Sequence, residues 1–291
     1  MMEANRYWKR TGHISIEGGD GKMYSFGGDD GLDFKFSGEK IGDYLFEFKC
    51  GILGLNFEHI NELTVWNPAE ASRPDRKRRI EVYAGYAGQG EDSPIFSGII
   101  MNAVPTNPPE MWLNFSCMFM GNSDRVVLNP YVMRDARLID IMKAISIELG
   151  YQDIKWDAGE ELAETLADFE ICGPIKTLAQ RFSWQFNLRS YLEDGILKCV
   201  KTRPQLYKPE NSRLINIENG MLGINKMDIV GATIRTRLDD SSKLFGWIEL
   251  ESKMIPKSNG MYCIMRKKHV GHFRGEEWYT ELDTYRQGAQ A

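Results

Sequence analysis

Short stretches of alternating apolar and polar residues, cut by Gly, Asp, Asn and Pro, recur along this chain. The clearest run is Ile80–Tyr86, Ile95–Val104 and Met111–Phe119, each rich in β-branched and aromatic residues. That composition, with those boundaries, predicts consecutive antiparallel strands. The rhythm returns near the C-terminus in Trp247–Ser252, Gly260–Gly271 and Glu277–Tyr285. Strand starts recur about 15 residues apart in both stretches, with loops toward the long end of the common range. The repetition reads as one β-barrel-like module used twice, which points to architecture before it points to chemistry.

The remaining pattern fits around these two stretches. His13–Glu17, Met23–Phe26 and Leu32–Phe36 alternate with period two and are separated by Gly18–Gly21 and Gly27–Gly31, which predicts hairpins or a meander. Tyr44–Lys49 reads as a strand followed by a Gly-marked break. Asn61–Trp66 reads as another strand, ended by Asn67-Pro68 because proline supplies no ladder donor. After Phe119 the period changes. Leu138, Ile141, Met142, Ile145 and Leu149 fall on one helical face, with Asp135 as N-cap and Gly150 as the residue after the C-cap. Glu160–Ala167 reads as a short helical or irregular element. Pro174 opens a second helix whose Ile175, Leu178, Phe182 and Phe186 share a face. A hairpin over Asn187–Lys201 turns at Asp194-Gly195, and Arg203–Pro209 reads as a linker.

The predicted fold is therefore mainly β with a small α+β middle domain. The divisions fall at 1–120, a first barrel carrying extra hairpins over 1–40; 121–205, the α+β unit; and 206–291, the second barrel. A chain of 291 residues can bury a substantial core. The net charge of −5 argues against a phosphate-gripping surface, though not against DNA passing through a mildly acidic channel. The five cysteines, Cys50, Cys117, Cys172, Cys199 and Cys263, are scattered and never form a Cys-x-x-Cys pair, which predicts reduced thiols in a cytosolic setting. Met1–Arg10 is polar and unlike a signal peptide, and no apolar run is long enough to span a membrane.

Few residues invite chemistry. His269 and His272, with Cys263 and Glu276 nearby, suggest a zinc site but offer no convergent fourth ligand; His13 and His59 have no spacing partner. The Gly/Asp clusters 18–21 and 27–31, with Asp33, lack the closing Glu of a calcium loop and read as turns. Tyr83–Gly90 has the glycines of a phosphate loop without its Lys-Ser/Thr, and reads as a hairpin with a bulge. The carboxylate pairs Glu160/Glu161, Asp239/Asp240 and Glu276/Glu277 show nothing that separates an acid from a nucleophile. Arg76–Arg79 is the basic run of the chain; a nucleic-acid arm is the sharp reading, but against the acidic total it reads as a solvated loop entering a strand, with a subunit salt-bridge patch between the two. Trp66, Tyr83, Phe96, Trp112, Trp247, Tyr262 and Trp278 divide between core and interface anchors. No catalytic, cofactor-binding or metal residue is assigned.

The order of several weak motifs carries a resemblance. Asn61–Asn67, Ile80–Tyr86 and Ile95–Ile99 resemble the N-terminal half of phage baseplate hub proteins. Leu214–Thr236 is similar to the opening of their second barrel, and His269–Leu282 to their ending, a His-Gly turn before a Trp-containing last strand. The likeness spans roughly 41–285. It implies a non-enzymatic homotrimer in which each chain carries two tail-tube-type barrels, so that three chains imitate a ring of six. Such a ring joins the sixfold tail tube to the central spike and lines the DNA conduit. The implied partners are the spike, the tube or tube-initiator protein, the tape-measure protein and baseplate wedge proteins, and the implied site is the virion baseplate, assembled in the bacterial host cytoplasm. Relatives occur in contractile injection systems and the type VI secretion spike. Two other classes stand beside it: a tail-associated cell-wall hydrolase using Glu160 and Glu161, and a carbohydrate-binding β module.

Overall fold

The computed structural model describes residues 9–41, 46–65, 78–88, 94–119, 127–148, 153–193, 196–201, 212–239 and 241–288. The first half contains β1 (Arg10–Glu17), β2 (Met23–Gly27), β3 (Asp33–Ile41), β4 (Phe46–Leu53), helix α1 (Phe57–Leu63), β5 (Arg79–Tyr86), β6 (Phe96–Pro105) and β7 (Trp112–Phe119). The middle contains β8 (Val127–Arg137), α2 (Leu138–Glu148), β9 (Ile154–Trp156), α3 (Glu160–Ala163), β10 (Leu166–Pro174), α4 (Ile175–Phe186), β11 (Leu188–Glu193) and β12 (Ile196–Lys201). The last part contains β13 (Arg213–Ile215), β14 (Met221–Met227), β15 (Gly231–Arg237), β16 (Trp247–Leu250), β17 (Gly260–His272) and β18 (Trp278–Arg286). The protein is mainly β with a small α+β middle.

The two halves repeat one strand order. In the first, the path runs β3-β4-β7-β6-β5-β1; in the second, β14-β15-β18-β17-β16-β13. Each is a hairpin followed by a three-stranded meander whose last strand pairs back onto the hairpin. The register repeats as well. Ile80 and Val82 pair with Gly98 and Phe96, as Ile248 and Leu250 pair with Tyr262 and Gly260. A bulge falls at Met101, between Ile100 and Asn102, and at Met265, between Ile264 and Arg266. Bulges re-aim a strand and pin its register, so a bulge at matching positions marks the two meanders as copies. The copies differ in their sixth strand: β1 runs antiparallel to β5, whereas β13 runs parallel to β16.

Both paths curl until their ends meet. Phe34 on β3 reaches across to β1, its ring 3.0 Å from where a Cβ on Gly12 would stand. In the second half, the end strands β13 and β14 are joined directly by the turn at 216–220, where the Met221 N–H donates to the Asn216 carbonyl (2.8 Å) and Gly220 takes φ +98°. The inward positions fill each barrel: Ile14, Phe36, Phe48, Phe96 and Phe115 in the first, Ile234, Ile248, Tyr262, Ile264 and Leu282 in the second.

The middle part has its own core, in which Leu138, Ile141, Met142 and Ile145 of α2 meet Leu178 and Phe182 of α4 and Phe169 of β10. It docks on the second barrel through Tyr191, whose hydroxyl donates to the Leu244 carbonyl (3.0 Å).

Several expectations are corrected. The expected strand over Asn61–Trp66 is helix α1 up to Leu63. Asn56 caps it by accepting from the His59 N–H (2.8 Å), and Ile60 and Leu63, three apart, are both buried, so burial on a helical face overrides the β-prone run. Trp66, Asn67 and Pro68 lie outside the described residues. The Gly-marked break after Lys49 comes later than expected: β4 runs through Gly51, which pairs with both Lys35 and Asn114, and ends at Leu53, before Gly54 at φ +94°. Asp135 is not a helix cap; it sits inside β8 at φ +46°, and its N–H donates to Asp168 (2.9 Å). Only Glu160–Ala163 of the expected 160–167 element is helical; β10 begins at Leu166, and β9 is an addition to the expected elements. The linker at 203–209 and Gly150 lie outside the described residues.

Candidate assembly interface

The two barrels share one sheet of thirteen strands among the described residues. One edge of β17 pairs with β18 along most of its length. The other edge serves two partners in turn: β16 over Gly260–Cys263, then β3 over Arg266–His272. The bulge at Met265 is where the edge changes partner. β3 thereby lies between its own hairpin partner β4 and the second barrel.

Side chains lock this joint. Arg266 donates to Glu39 on β3 (Nη1 to Oε1, 2.7 Å) and to Asp283 on β18 (Nε to Oδ2, 2.6 Å), tying three strands together. The turn between β17 and β18 then plugs the first barrel. Phe273 stacks on Phe34 at 4.9 Å, and the Trp278 indole N–H donates to the Gly85 carbonyl on β5 (3.2 Å). From β1, Arg10 donates to the carbonyls of His272 (2.9 Å), Phe273 (3.2 Å), Gly275 and Glu276 (3.2 Å), so one guanidinium gathers the whole turn. Gly28 permits this contact, since a Cβ there would overlap the Phe273 ring.

The residues that the sequence marks out for chemistry are scattered over the fold, and the histidines and Cys263 are tied up in it. His269 and His272, an odd number of residues apart on one strand, face opposite ways. His269 is buried with Nδ1 2.9 Å from the Thr280 hydroxyl, and His272 pairs with Asp33 (2.8 Å). Cys263 is buried beside the Phe245 carbonyl, and burial pushes its thiol up to about 12. Among the described residues no three His, Cys, Asp or Glu side chains converge as metal ligands. The Gly/Asp clusters are turns: Asp20 accepts from the Lys22 N–H (3.0 Å) and Asp30 from the Gly27 N–H (2.9 Å). Tyr83–Tyr86 ends β5, and the next described strand is β6 rather than a helix; Gln89 and Gly90 lie outside the described residues.

Glu160 and Glu161 sit exposed in the first turn of α3. Asp239 is occupied structurally. Burial pushes its carboxyl upward, but hydrogen bonds from Ser241 and the neighbouring Arg213 outweigh it and hold the group below its ordinary value. Asp240, Arg76 and Lys77 lie outside the described residues; Arg78 donates to the Glu62 carbonyl (2.7 Å), and the Arg79 N–H to Glu17 (3.1 Å). Of the aromatic set, Phe96, Tyr262 and Trp278 are buried, while Tyr83, Trp112 and Trp247 are half-buried. Sequence reasoning missed Arg10, Glu39 and Arg266 because their partners lie more than two hundred residues away. Their only local signal is a cation or anion within an otherwise half-buried strand.

Known structures share this architecture. A tail protein from Neisseria meningitidis MC58 superposes with TM-score 0.65 at 11% identity, covering 97% of this chain and 98% of that one. The 43 kDa tail protein of prophage MuSo2 from Shewanella oneidensis gives 0.58 at 11%, covering 94% and 98%. The E. coli c3393 protein is described as a type VI secretion component with structural similarity to the T4 bacteriophage tail proteins gp27 and gp5. It gives 0.58 at 10%, covering 87% and 73%. At these identities the likeness is one of fold. No curated protein matches the chain in sequence. Residues 57–284 match the family described as Baseplate hub gp41. That match takes in both meanders, the middle part and the β3-binding edge of β17, and the chain belongs to the baseplate hub gp41 family.

Proposed function

We propose that three copies of this chain close into a ring of six barrels that joins the sixfold tail tube to the threefold spike of a phage tail. Membership of a baseplate hub family makes the chain a structural part of the tail baseplate. The observation that carries the finer reading is the repeated strand order, with the same bulge at Met101 and Met265. Two like modules per chain let a threefold assembly present six similar faces, and heterologous contacts that close make a ring. The chain acts without catalysis, through edge pairing and burial. The ring lines a conduit for DNA, and the acidic balance of −5 keeps phosphates from sticking. Its partners are the spike, the tube or tube initiator, the tape-measure protein and the wedges, met during assembly in the host cytoplasm.

Native mass spectrometry tests this. The expected species has three times the 33.4 kDa chain mass. A chain that stays monomeric even with its spike protein present would overturn the reading.

A further inference from the structure

The joint inside the chain predicts the joint between chains. Within one chain, the second barrel receives the first by pairing β17 with the outer edge of β3. The repeated strand order makes β6 the counterpart of β17 and β14 the counterpart of β3. The next contact around a ring of like barrels then joins β14 of one copy to β6 of the next.

Both edges bear marks of this role. β14 ends the path of the large sheet, with no strand among the described residues on its outer side. Leu222 is 55% exposed and Met227 38%, and Ile229 just beyond is 88% exposed. An unpaired strand edge with exposed apolar side chains is a template for another chain; register shifts at Met221/Gly223 and Ile224/Lys226 kink the first part of β14, and its regular stretch is Lys226-Met227. The β6 edge is blunted. Val65 exchanges hydrogen bonds with Ala103 (2.9 and 3.1 Å), filling the place that Lys40 takes beside Lys267 in the internal joint. The Thr106 N–H points inward to the Trp112 carbonyl (2.8 Å), so Pro105 is the next residue facing outward, and it has no N–H to give. Two partly blunted edges per chain disfavour runaway pairing and confine the joint to the short stretch around Met227 and Pro105.

We infer that β14 of one copy seats against the β6 lip of the next, with Met227 opposite Pro105. The register comes from the internal joint, where Gly38 stands opposite His269. Met227 occupies the position of Gly38, because Met227 pairs with Ala232 as Gly38 pairs with Phe48. Pro105 occupies that of His269, four residues past the shared bulge. The occupant is a second copy of this chain, and the inference rests on the trimeric ring proposed above.

The test is directed crosslinking of the full chain with the exposed Cys172 replaced by Ser. Facing residues of neighbouring strands stand within disulfide reach. The double variant Met227→Cys/Pro105→Cys, oxidised and run without reductant, is expected to give species of two and three chains and none longer. Met227→Cys/Met23→Cys is expected to give none. A companion variant, Leu222→Lys/Met227→Lys, is expected to keep its circular dichroism spectrum and shift the trimer to monomer. A trimer by light scattering without the Met227–Pro105 crosslink, or a crosslink from Met227→Cys alone, overturns this joint and leaves the ring standing. Absence of any trimer overturns the ring, and the joint with it.

Discussion

Arg266 and Glu39 stand 227 residues apart in the chain and 2.7 Å apart in space. Their pairing closes the seam at which the two barrels become one sheet. Both side chains keep about a third of their surface in water, at 38% and 31%, so the bond is screened. A double-mutant cycle of Arg266→Ala and Glu39→Ala is expected to give a coupling of about 0.5 kcal/mol, shrinking in high salt. The seven backbone pairings from Arg266 to His272 hold the seam, so both single variants stay folded. A coupling several times larger would mean that the ion pair, not the ladder, holds the barrels together.

Trp278 anchors the second barrel in the core of the first. Only 4% of it is exposed, and it packs at 5.5 Å from Phe36 and 6.2 Å from Phe34. Trp278→Ala is expected to cost about 3–5 kcal/mol in denaturant unfolding. Trp278→Phe keeps one aromatic ring in the core but leaves a small void and strands the Gly85 carbonyl, and is expected to cost about 1–3 kcal/mol. Hydrogen exchange should show the loss first in β5 and β3. Loss confined to β18 would contradict the plug.

The thiols should be silent apart from one. Cys50, Cys117, Cys199 and Cys263 are buried, and burial pushes Cys199 and Cys263 up to about 12, while Cys172 is exposed. Since the thiolate is the reactive form, a maleimide at pH 7 is expected to label Cys172 alone in the native chain and all five after denaturation. Rapid native labelling of a second cysteine would contradict the packing of the barrels.

Asp239 ties the loop before β16 to Arg213 on β13. Its carboxyl is held below its ordinary value, so the folded state favours the ionised form. That stabilisation is present above the unfolded pKa of about 3.9 and is lost as pH falls through the folded one. Asp239→Asn is therefore expected to lower stability by about 1 kcal/mol at pH 7. The gap between variant and parent should begin to narrow near pH 4 and close only below the lowered folded pKa. A gap that does not narrow at all as the pH is lowered would show that packing, not charge, holds the loop.

The strands are legible in the sequence where one face is buried and the other wet. Ile80-Glu81-Val82 and Ile248-Glu249-Leu250 alternate because each strand has a core side and an outer side. The duplicated rhythm is legible for the same reason. The helix Phe57–Leu63 is not, because Leu63, Thr64 and Val65 read as strand until Asn56 is known to cap the turn before them. β10 is hidden because register shifts at Ala167/Phe169 and Ile171/Gly173 leave only Asp168–Cys172 in clean alternation, a run too short to stand out. The seam of Arg10, Glu39 and Arg266 has no local signature, since strand pairing between distant segments leaves no periodic trace.

End-on electron microscopy of the purified assembly tests the central claim most directly. Six lobes around a lumen, alike at low resolution and resolving into three pairs at higher resolution, are the predicted result. A ring of any other lobe number, or three lobes that stay unlike their neighbours in strand order, would contradict it.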